Sequence, residues 1–273
     1  MKKIPFTKMV GAGNDFVVVE NTNKIDPKKL AVAACARETG IGADGLLILD
    51  RSKKADYKMR IINSDGSEAE MCGNGARCMA AYIVQNKAPK NKLFKIETLA
   101  GIVLAQAKDE TAVVRLSDPK DYDPEIHLNV NGQKISVSYI DTGVPHVVIF
   151  VDGLAKIDVD SIGRIIRHHE RFKPRGTNVN FVEQRGHNLI EVRTFERGVE
   201  GETLACGTGS VAVGIIGFLK ANPAVNDQVK ANMKVLTRSG ETLDVTFNLT
   251  RNRISDVWLK GSAKFIAKGE YYV

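Results

Sequence analysis

Two short segments carry the side chains best suited to chemistry: Met71-Cys72-Gly73-Asn74-Gly75-Ala76-Arg77-Cys78 and Ala205-Cys206-Gly207-Thr208-Gly209-Ser210. In each, a cysteine precedes a Gly-x-Gly and further small residues, the composition a strand or loop needs to turn sharply into a helix. The free N–H groups of a first helical turn, with the helix dipole, bind anions and lower the pKa of a thiol placed there. One such segment alone reads equally well as a helix entry with a small buried cysteine. Two matched ones do not arise so easily by chance. A thiolate on one side of an amino acid can remove the α-proton while a thiol on the other returns one to the opposite face, inverting the stereocentre. The α-hydrogen is a very weak acid, so the carbanion needs electrostatic help, and helix-end N–H groups on the carboxylate supply it.

The elements that must position these thiols are short and mostly β. Runs rich in β-branched residues predict strands at 16–20, 46–50, 57–63, 93–98, 102–107 and 112–116, then at 134–139, 146–151, 178–183, 189–195, 233–237, 242–248 and 257–260. Helices are predicted at 27–38, 75–85, 159–169 and 208–220. The first has Asp26 as its N-cap, Pro27 at its first position and Gly40 shortly after its end. The polar stretch Ser117-Asp118-Pro119-Lys120-Asp121-Tyr122-Asp123-Pro124 reads as a linker. The halves on either side share an order: a β-rich opening, a helix, more strands, the cysteine segment, its helix, then a strand, a glycine turn and a strand. Cys72 leads Gly101 much as Cys206 leads Gly240, and the two cysteines lie about half the chain apart. A twofold-like relation between the halves would bring the thiols face to face across a cleft.

Composition supports two globular domains. The chain has 273 residues, 43% hydrophobic and 26% charged, and domains commonly run to about 100–150 residues. No apolar run approaches the roughly 20 residues that cross a bilayer, and Met1-Lys2-Lys3-Ile4-Pro5 has no apolar signal core behind it. A cytoplasmic protein without a membrane partner is the expectation. Lys and Arg number 39 against 32 acids, a net charge of +7, but they are dispersed, and aromatics are only 6%. Nucleic acid is therefore not the expected partner. Cys35, Cys72, Cys78 and Cys206 lack CxxC spacing, so neither a disulfide scaffold nor a structural zinc site is expected.

Further motifs give the chain a family resemblance. Gly13-Asn14-Asp15-Phe16, Gly40-Ile41-Gly42-Ala43-Asp44-Gly45, Asn63-Ser64-Asp65-Gly66-Ser67-Glu68, Pro145-His146, Asn178 and Phe195-Glu196-Arg197-Gly198, taken with both cysteine segments, run through nearly the whole chain. The sequence resembles the diaminopimelate epimerases, cofactor-independent enzymes that interconvert LL- and meso-diaminopimelate in lysine and cell-wall synthesis. The resemblance implies a mixed α/β (α+β) fold of two pseudo-symmetric domains, each a β-rich, barrel-like sheet around a central helix, with the active site in the cleft between them. The domains would be 1–118, carrying Cys72, and 119–262, carrying Cys206, with 263–273 packing back on the first. It also implies Cys72 as proton donor and Cys206 as proton acceptor, tuned by His146 and Glu196. Asn14, Asn63, Gly73, Asn74, Asn178, Glu196, Arg197, Gly207 and Thr208 would hold the substrate, with no metal and no cofactor, in a homodimer. The chemistry suits a ligand with carboxylates and ammonium groups at both ends: amides offer donor and acceptor, and Arg197 can clamp a carboxylate through two hydrogen bonds.

Two positions depart from the family pattern. Val144 stands where an asparagine is frequent, and Gly45 where some members have glutamine. Both thin the polar shell. The remaining reactive types read as structural: Cys35 as a small buried side chain among alanines, Cys78 as lying too far down its helix to feel the N-terminal field, and His168-His169 as a solvated helix end. No lysine sits in a context that suggests pyridoxal phosphate. A proline, hydroxyproline or histidine racemase would share the paired cysteines, and a redox sensor would use them as a reversible disulfide. The sensor would need none of the asparagines, and Asn14, Asn74 and Glu196-Arg197 favour diaminopimelate over the other racemases.

Overall fold

A computed structural model describes residues 3–20, 25–224, 228–251 and 253–273; Met1 and Lys2 of the N-terminal segment lie outside the described residues. The chain divides into two compact units, Met1–Arg115 with Lys260–Val273, and Leu116–Leu259. Both are strand-rich, and among the described residues the α-helices are α1 (Pro27–Cys35), α2 (Gly73–Lys87), α3 (Val159–Arg167) and α4 (Gly207–Ala221).

In the first unit, Lys3–Gly11 and Asn14–Glu20 form an antiparallel hairpin. Its two turn residues, Ala12 and Gly13, both have positive φ (52° and 89°), as a two-residue hairpin turn matched to strand twist requires. The turn delivers Asn14 at the first position of its strand. Asn14–Glu20 then runs through α1 to a parallel partner, Gly45–Asp50, which pairs antiparallel with Tyr57–Asn63. That strand pairs antiparallel with Glu68–Ala69 and parallel with Phe94–Thr98, and Gly101–Lys108 and Thr111–Arg115 continue as an antiparallel meander. The C-terminal strand Lys264–Tyr272 pairs antiparallel with Lys3–Gly11.

The second unit repeats this scheme pairing for pairing. Gln133–Asp141 is antiparallel to Lys120–Val130 on one side and to Pro145–Phe150 on the other. Pro145–Phe150 runs through α3 to the parallel strand Asn178–Gly186, which is antiparallel to Leu189–Glu196. That strand is antiparallel to Gly201–Thr203 and parallel to Val229–Leu236, which pairs in turn with Thr242–Thr250. Parallel partners need a helical crossover, and α2 and α4 occupy the same place in the two schemes. Each is sheathed in strands: Gly73 to Ile83 of α2 are all buried, as are Gly207, Gly209 and Ser210 to Gly217 of α4. A helix buried around its circumference favours apolar or small residues, as in the Gly-, Ala-, Val- and Ile-rich α4; in α2 the buried Arg77 is accommodated by donating to Asn74 Oδ1 at 2.8 Å and to the Gly73 carbonyl at 3.4 Å.

Two sequence expectations are corrected. The linker at 117–124 is largely strand, because Lys120–Val130 begins within it. The pairing absorbs the awkward residues through irregular register around Val137, Tyr139 and Asp141, Asp121 takes a positive φ of 55°, and Ser138 Oγ donates to the Pro124 carbonyl at 2.8 Å. A proline is tolerated where a bulge removes the demand for its N–H. Helix α1, expected over 27–38, stops at Cys35, with Ala36 extended (φ −58°, ψ 126°). The amides of Ile41 and Gly42 fold back onto the Ala34 carbonyl. A Cβ at Gly40 would sit 2.3 Å from the Ala33 carbonyl oxygen, so the return turn requires glycine. The start is as read: Asp26 caps the helix by accepting from the Lys28 amide at 2.9 Å.

Candidate active site

Cys72 is the N-cap of α2, extended at φ −141° and ψ 118°, and its Sγ accepts from the Gly75 amide at 3.4 Å. An orphan N–H of the first turn thus points at the sulfur and favours thiolate. Gly73 and Asn74 follow in the same turn. Asn74 is 1% exposed; its Nδ2 donates to Asn14 Oδ1 at 2.5 Å, and its Oδ1 accepts from Arg77 Nη2 at 2.8 Å. Asn14 donates in turn to Asp44 Oδ2 at 3.1 Å. Asn63 ends its strand opposite Gly45, with its Nδ2 donating to Ser67 Oγ at 2.9 Å. The first unit therefore gathers Cys72, Gly73, Asn74 and Asn14 at the head of α2, with Asn63 on the neighbouring strand end.

Behind Asn14 lies an ionic brace. Asp15 receives Lys8 at 2.6 Å and Arg37 at 3.0 Å, Arg37 also reaches Asp44 at 2.7 Å, and Lys8 donates to the Gly42 carbonyl. Burial pushes the Asp15 pKa up, but the hydrogen bonds from Arg37 and Lys8 outweigh it and hold the carboxyl below its ordinary value. At Gly45 a Cβ would lie 3.0 Å from the Ile62 carbonyl oxygen. A larger residue there would force neighbouring backbone to move, which accounts for glycine in this chain.

The second unit assembles its half in the same way. Cys206, 8% exposed, is the N-cap of α4 at φ −119° and ψ 117°, and its Sγ lies 3.5 Å from Thr208 Oγ1. His146 is fully buried and pairs its Nε2 with Thr208 Oγ1 at 3.0 Å. Opposite His146 in parallel register is Asn178, whose Nδ2 donates to the Pro145 carbonyl at 3.0 Å while its Oδ1 accepts from the Arg197 amide at 2.8 Å. Glu196 ends its strand, and the Arg197 guanidinium donates to the Arg175 carbonyl at 3.2 Å. Gly207 is buried at the first position of α4. Gly143-Val144 forms the turn before His146, closed by the Thr142 amide on the Val144 carbonyl at 3.1 Å.

Burial, with the Arg197 charge adding to it, pushes His146 down to about 3 from 6.5. The unfolded chain therefore binds a proton at higher pH than the folded one. The stability this group contributes is complete above about pH 6.5 and falls as pH drops toward 3. The urea midpoint of the protein is expected to fall between pH 7 and 4.5, and to fall less in His146→Gln.

The other reactive types lie elsewhere. Cys35 and Cys78 are buried, and burial pushes the Cys35 thiol up to about 11. His168 meets Glu200 at 3.2 Å, and His169 accepts from the Arg171 amide. Among the described residues no three His, Cys, Asp or Glu side chains come together in a way that could hold a metal ion.

Sequence reasoning passed over Asp44, Arg77 and Asn180. Asp44 sits inside a quoted motif, Arg77 one helical turn after Asn74, and Asn180 two residues from Asn178 on the same strand face. That last spacing, a polar pair alternating within an apolar strand, was the available signal.

The two helix heads differ in tolerance. A Cβ at Gly209 would fall 2.6 Å from Asn180 Oδ1 and 3.2 Å from Cys206 Cβ, whereas at Gly75 its nearest neighbour would be a Leu47 side-chain methyl at 3.1 Å, with Cys72 Cβ at 3.6 Å. Overpacking a fixed site costs about 1–3 kcal/mol. Gly209→Ala is expected to lower kcat/KM by about 100-fold and Gly75→Ala by less than about tenfold, measured on the purified variants.

Solved structures share this fold. A phenazine biosynthesis protein of the PhzF family from Bacillus anthracis superposes with a TM-score of 0.77 at 17% identity, covering 100% of both chains. A hydroxyproline epimerase from Agrobacterium vitis gives 0.71 at 13% identity, over 98% of this chain and 92% of the other. The class is therefore that of duplicated α/β proteins in which each unit wraps its sheet about a helix. Sequence narrows it. The family model described as diaminopimelate epimerase matches residues 6–120 and 138–263. The diaminopimelate epimerase of Aquifex aeolicus is 39% identical over 97% of this chain and 96% of its own, and that of Carboxydothermus hydrogenoformans is 41% identical over 98% and 99%. The chain belongs to the diaminopimelate epimerase family, a family of isomerases.

Proposed function

We propose that the protein interconverts LL- and meso-2,6-diaminopimelate by proton transfer between two cysteines, without cofactor or metal, in lysine and peptidoglycan precursor synthesis. What carries this reading, beyond family membership, is that Cys72 and Cys206 cap α2 and α4 at equivalent points of a repeated strand-pairing scheme. Inversion by two bases requires one thiol on each face of the α-carbon. Cys206 as thiolate takes the α-proton and becomes a thiol; Cys72 as thiol gives a proton to the opposite face and becomes a thiolate. The reverse reaction exchanges their roles. The first-turn amides after each cysteine, at Gly73, Asn74, Gly207 and Thr208, stabilise the carboxylate as charge builds on the α-carbon. His146 and Glu196 tune the cysteines, and Asn14, Asn63, Asn178 and Arg197 hold the rest of the substrate.

The reading places the enzyme in the cytoplasm as a homodimer acting on a small molecule, with neither nucleic acid nor membrane as partner. Dispersed basic residues support the former exclusion. No helix among the described residues is long and apolar enough to cross a membrane. The test is incubation with LL-diaminopimelate in heavy water. Deuterium should appear at the α-carbon of the meso product, and parallel incubations with proline, hydroxyproline and histidine should show none. Exchange into proline and not diaminopimelate would overturn the assignment in favour of a proline-type racemase.

A further inference from the structure

The hydrogen bonds around His146, set by the orientation of Asn180, fix its tautomer. Asn180 Nδ2 donates to the Val147 carbonyl at 2.8 Å, and its Oδ1 accepts from Thr194 Oγ1 at 3.0 Å. A carbonyl can only accept, so the amide orientation is determined. The same Nδ2 lies 3.2 Å from His146 Nδ1. Because it can only donate, Nδ1 must be the acceptor nitrogen and the imidazole proton must sit on Nε2. That proton points at Thr208 Oγ1 at 3.0 Å, which uses the hydroxyl as an acceptor. The single hydroxyl hydrogen of Thr208 is then directed at Cys206 Sγ, 3.5 Å away. Full burial keeps the imidazole neutral, so a one-proton tautomer is the form present at working pH.

We infer that Asn180 is a positioning residue for proton abstraction: by holding His146 with its proton on Nε2, it turns the Thr208 hydroxyl into a donor to Cys206 and so favours the thiolate of that cysteine. The relay Asn180 to His146 to Thr208 to Cys206 lies wholly within the second unit. Its bonds all point the same way, an arrangement in which each donor polarises the next. No proton need travel along it; it supplies a hydrogen bond to the charged form of the sulfur, which lowers a thiol pKa. Glycine at 209 belongs to the same device, since a Cβ there would strike Asn180 Oδ1 at 2.6 Å and crowd Cys206 Cβ at 3.2 Å. The inference rests on the reading of Cys206 as the proton acceptor, but it makes a claim about thiol acidity that is measured without turnover.

The experiment measures the alkylation rate of Cys206 by iodoacetamide against pH, read on its own peptide by mass spectrometry in the full chain, for wild type, Thr208→Val, Thr208→Ser and Asn180→Asp. Removing the hydroxyl is expected to raise the Cys206 pKa by about one unit, slowing alkylation at pH 7 about tenfold, and serine should restore it. Asn180→Asp presents an acceptor to Nδ1, moves the proton there, makes Thr208 donate to Nε2 and should slow alkylation likewise. Nitrogen-15 spectra of histidine-labelled wild type need no variant to fold and should show His146 protonated at Nε2. A proton on Nδ1 in wild type, or an unchanged Cys206 pKa in folded Thr208→Val, overturns the relay. Intact thiol shifts in a protein that fails to exchange deuterium into diaminopimelate would leave the relay standing and remove the proposed function instead.

Discussion

Cys72→Ala and Cys206→Ala are each expected to abolish epimerisation, lowering kcat by at least about a thousandfold, the upper part of what a positioned acid or base contributes. Cys35→Ala and Cys78→Ala should stay within about threefold of wild type, at a stability cost of about 1 kcal/mol each for the lost packing. The division follows from position. Cys72 accepts a first-turn amide of α2 and Cys206 meets Thr208 at the head of α4, whereas Cys78 is buried within α2 and Cys35 is held protonated by burial, with its thiol at about 11. In the proposed two-base mechanism each thiol serves one face, so neither could substitute for the other. The serine variants sharpen the test: a hydroxyl is a far weaker acid, so Cys→Ser should keep at most slow exchange of the α-hydrogen while losing inversion. Proton NMR of meso and LL isomers, with urea midpoints for stability, reads both effects. Turnover near wild type in Cys206→Ala would remove the two-thiol mechanism.

What the sequence made legible was whatever repeats at short range. Gly45–Asp50 announces itself through an apolar run because its burial is nearly continuous, and Tyr57–Asn63 through apolar positions among polar ones, with Met59, Ile61 and Ile62 buried. The cysteine helices were legible because glycine and small residues must stand where a buried helix meets its sheet. The C-terminal strand Lys264–Tyr272 was not, since most of its residues are exposed; it exists through backbone pairing with Lys3–Gly11 at the other end of the chain, and no local pattern encodes a partner that distant. Lys120–Val130 hid behind two aspartates and a proline that bulged pairing accommodates. The asparagines proposed to hold substrate came from motif resemblance. The state of His146 did not, because a tautomer is decided by which atom of Asn180 faces it, and that depends on strand register between His146–Asn178 and Val148–Asn180.

The distal end of the substrate is expected to decide specificity, chiefly through Arg197. A proton-transfer pair of thiols has nothing by which to distinguish diaminopimelate from lysine, which differs only in lacking one carboxylate. Arg197 is the residue proposed to make the distinction. Its amide is fixed to Asn178 Oδ1 at 2.8 Å, and its guanidinium donates to the Arg175 carbonyl at 3.2 Å. Arg175 is in turn held by the buried Asp141 at 2.9 Å. A planar fork steadied on a carbonyl can present further N–H groups to a carboxylate in paired geometry. Hydrogen bonds to charged groups contribute about 1.5–3 kcal/mol each, so two of them favour diaminopimelate over L-lysine by about 100-fold or more in kcat/KM. Arg197→Lys keeps the charge but loses the fork. It should reduce that preference at least about tenfold, mainly by raising KM for LL-diaminopimelate, because the contact is made before and during proton transfer alike. The decisive quantity is the ratio of kcat/KM for LL-diaminopimelate over L-lysine in wild type and in Arg197→Lys. A wild-type ratio near one would mean that the site does not read the distal carboxylate, and the assignment of diaminopimelate as substrate would fall with it.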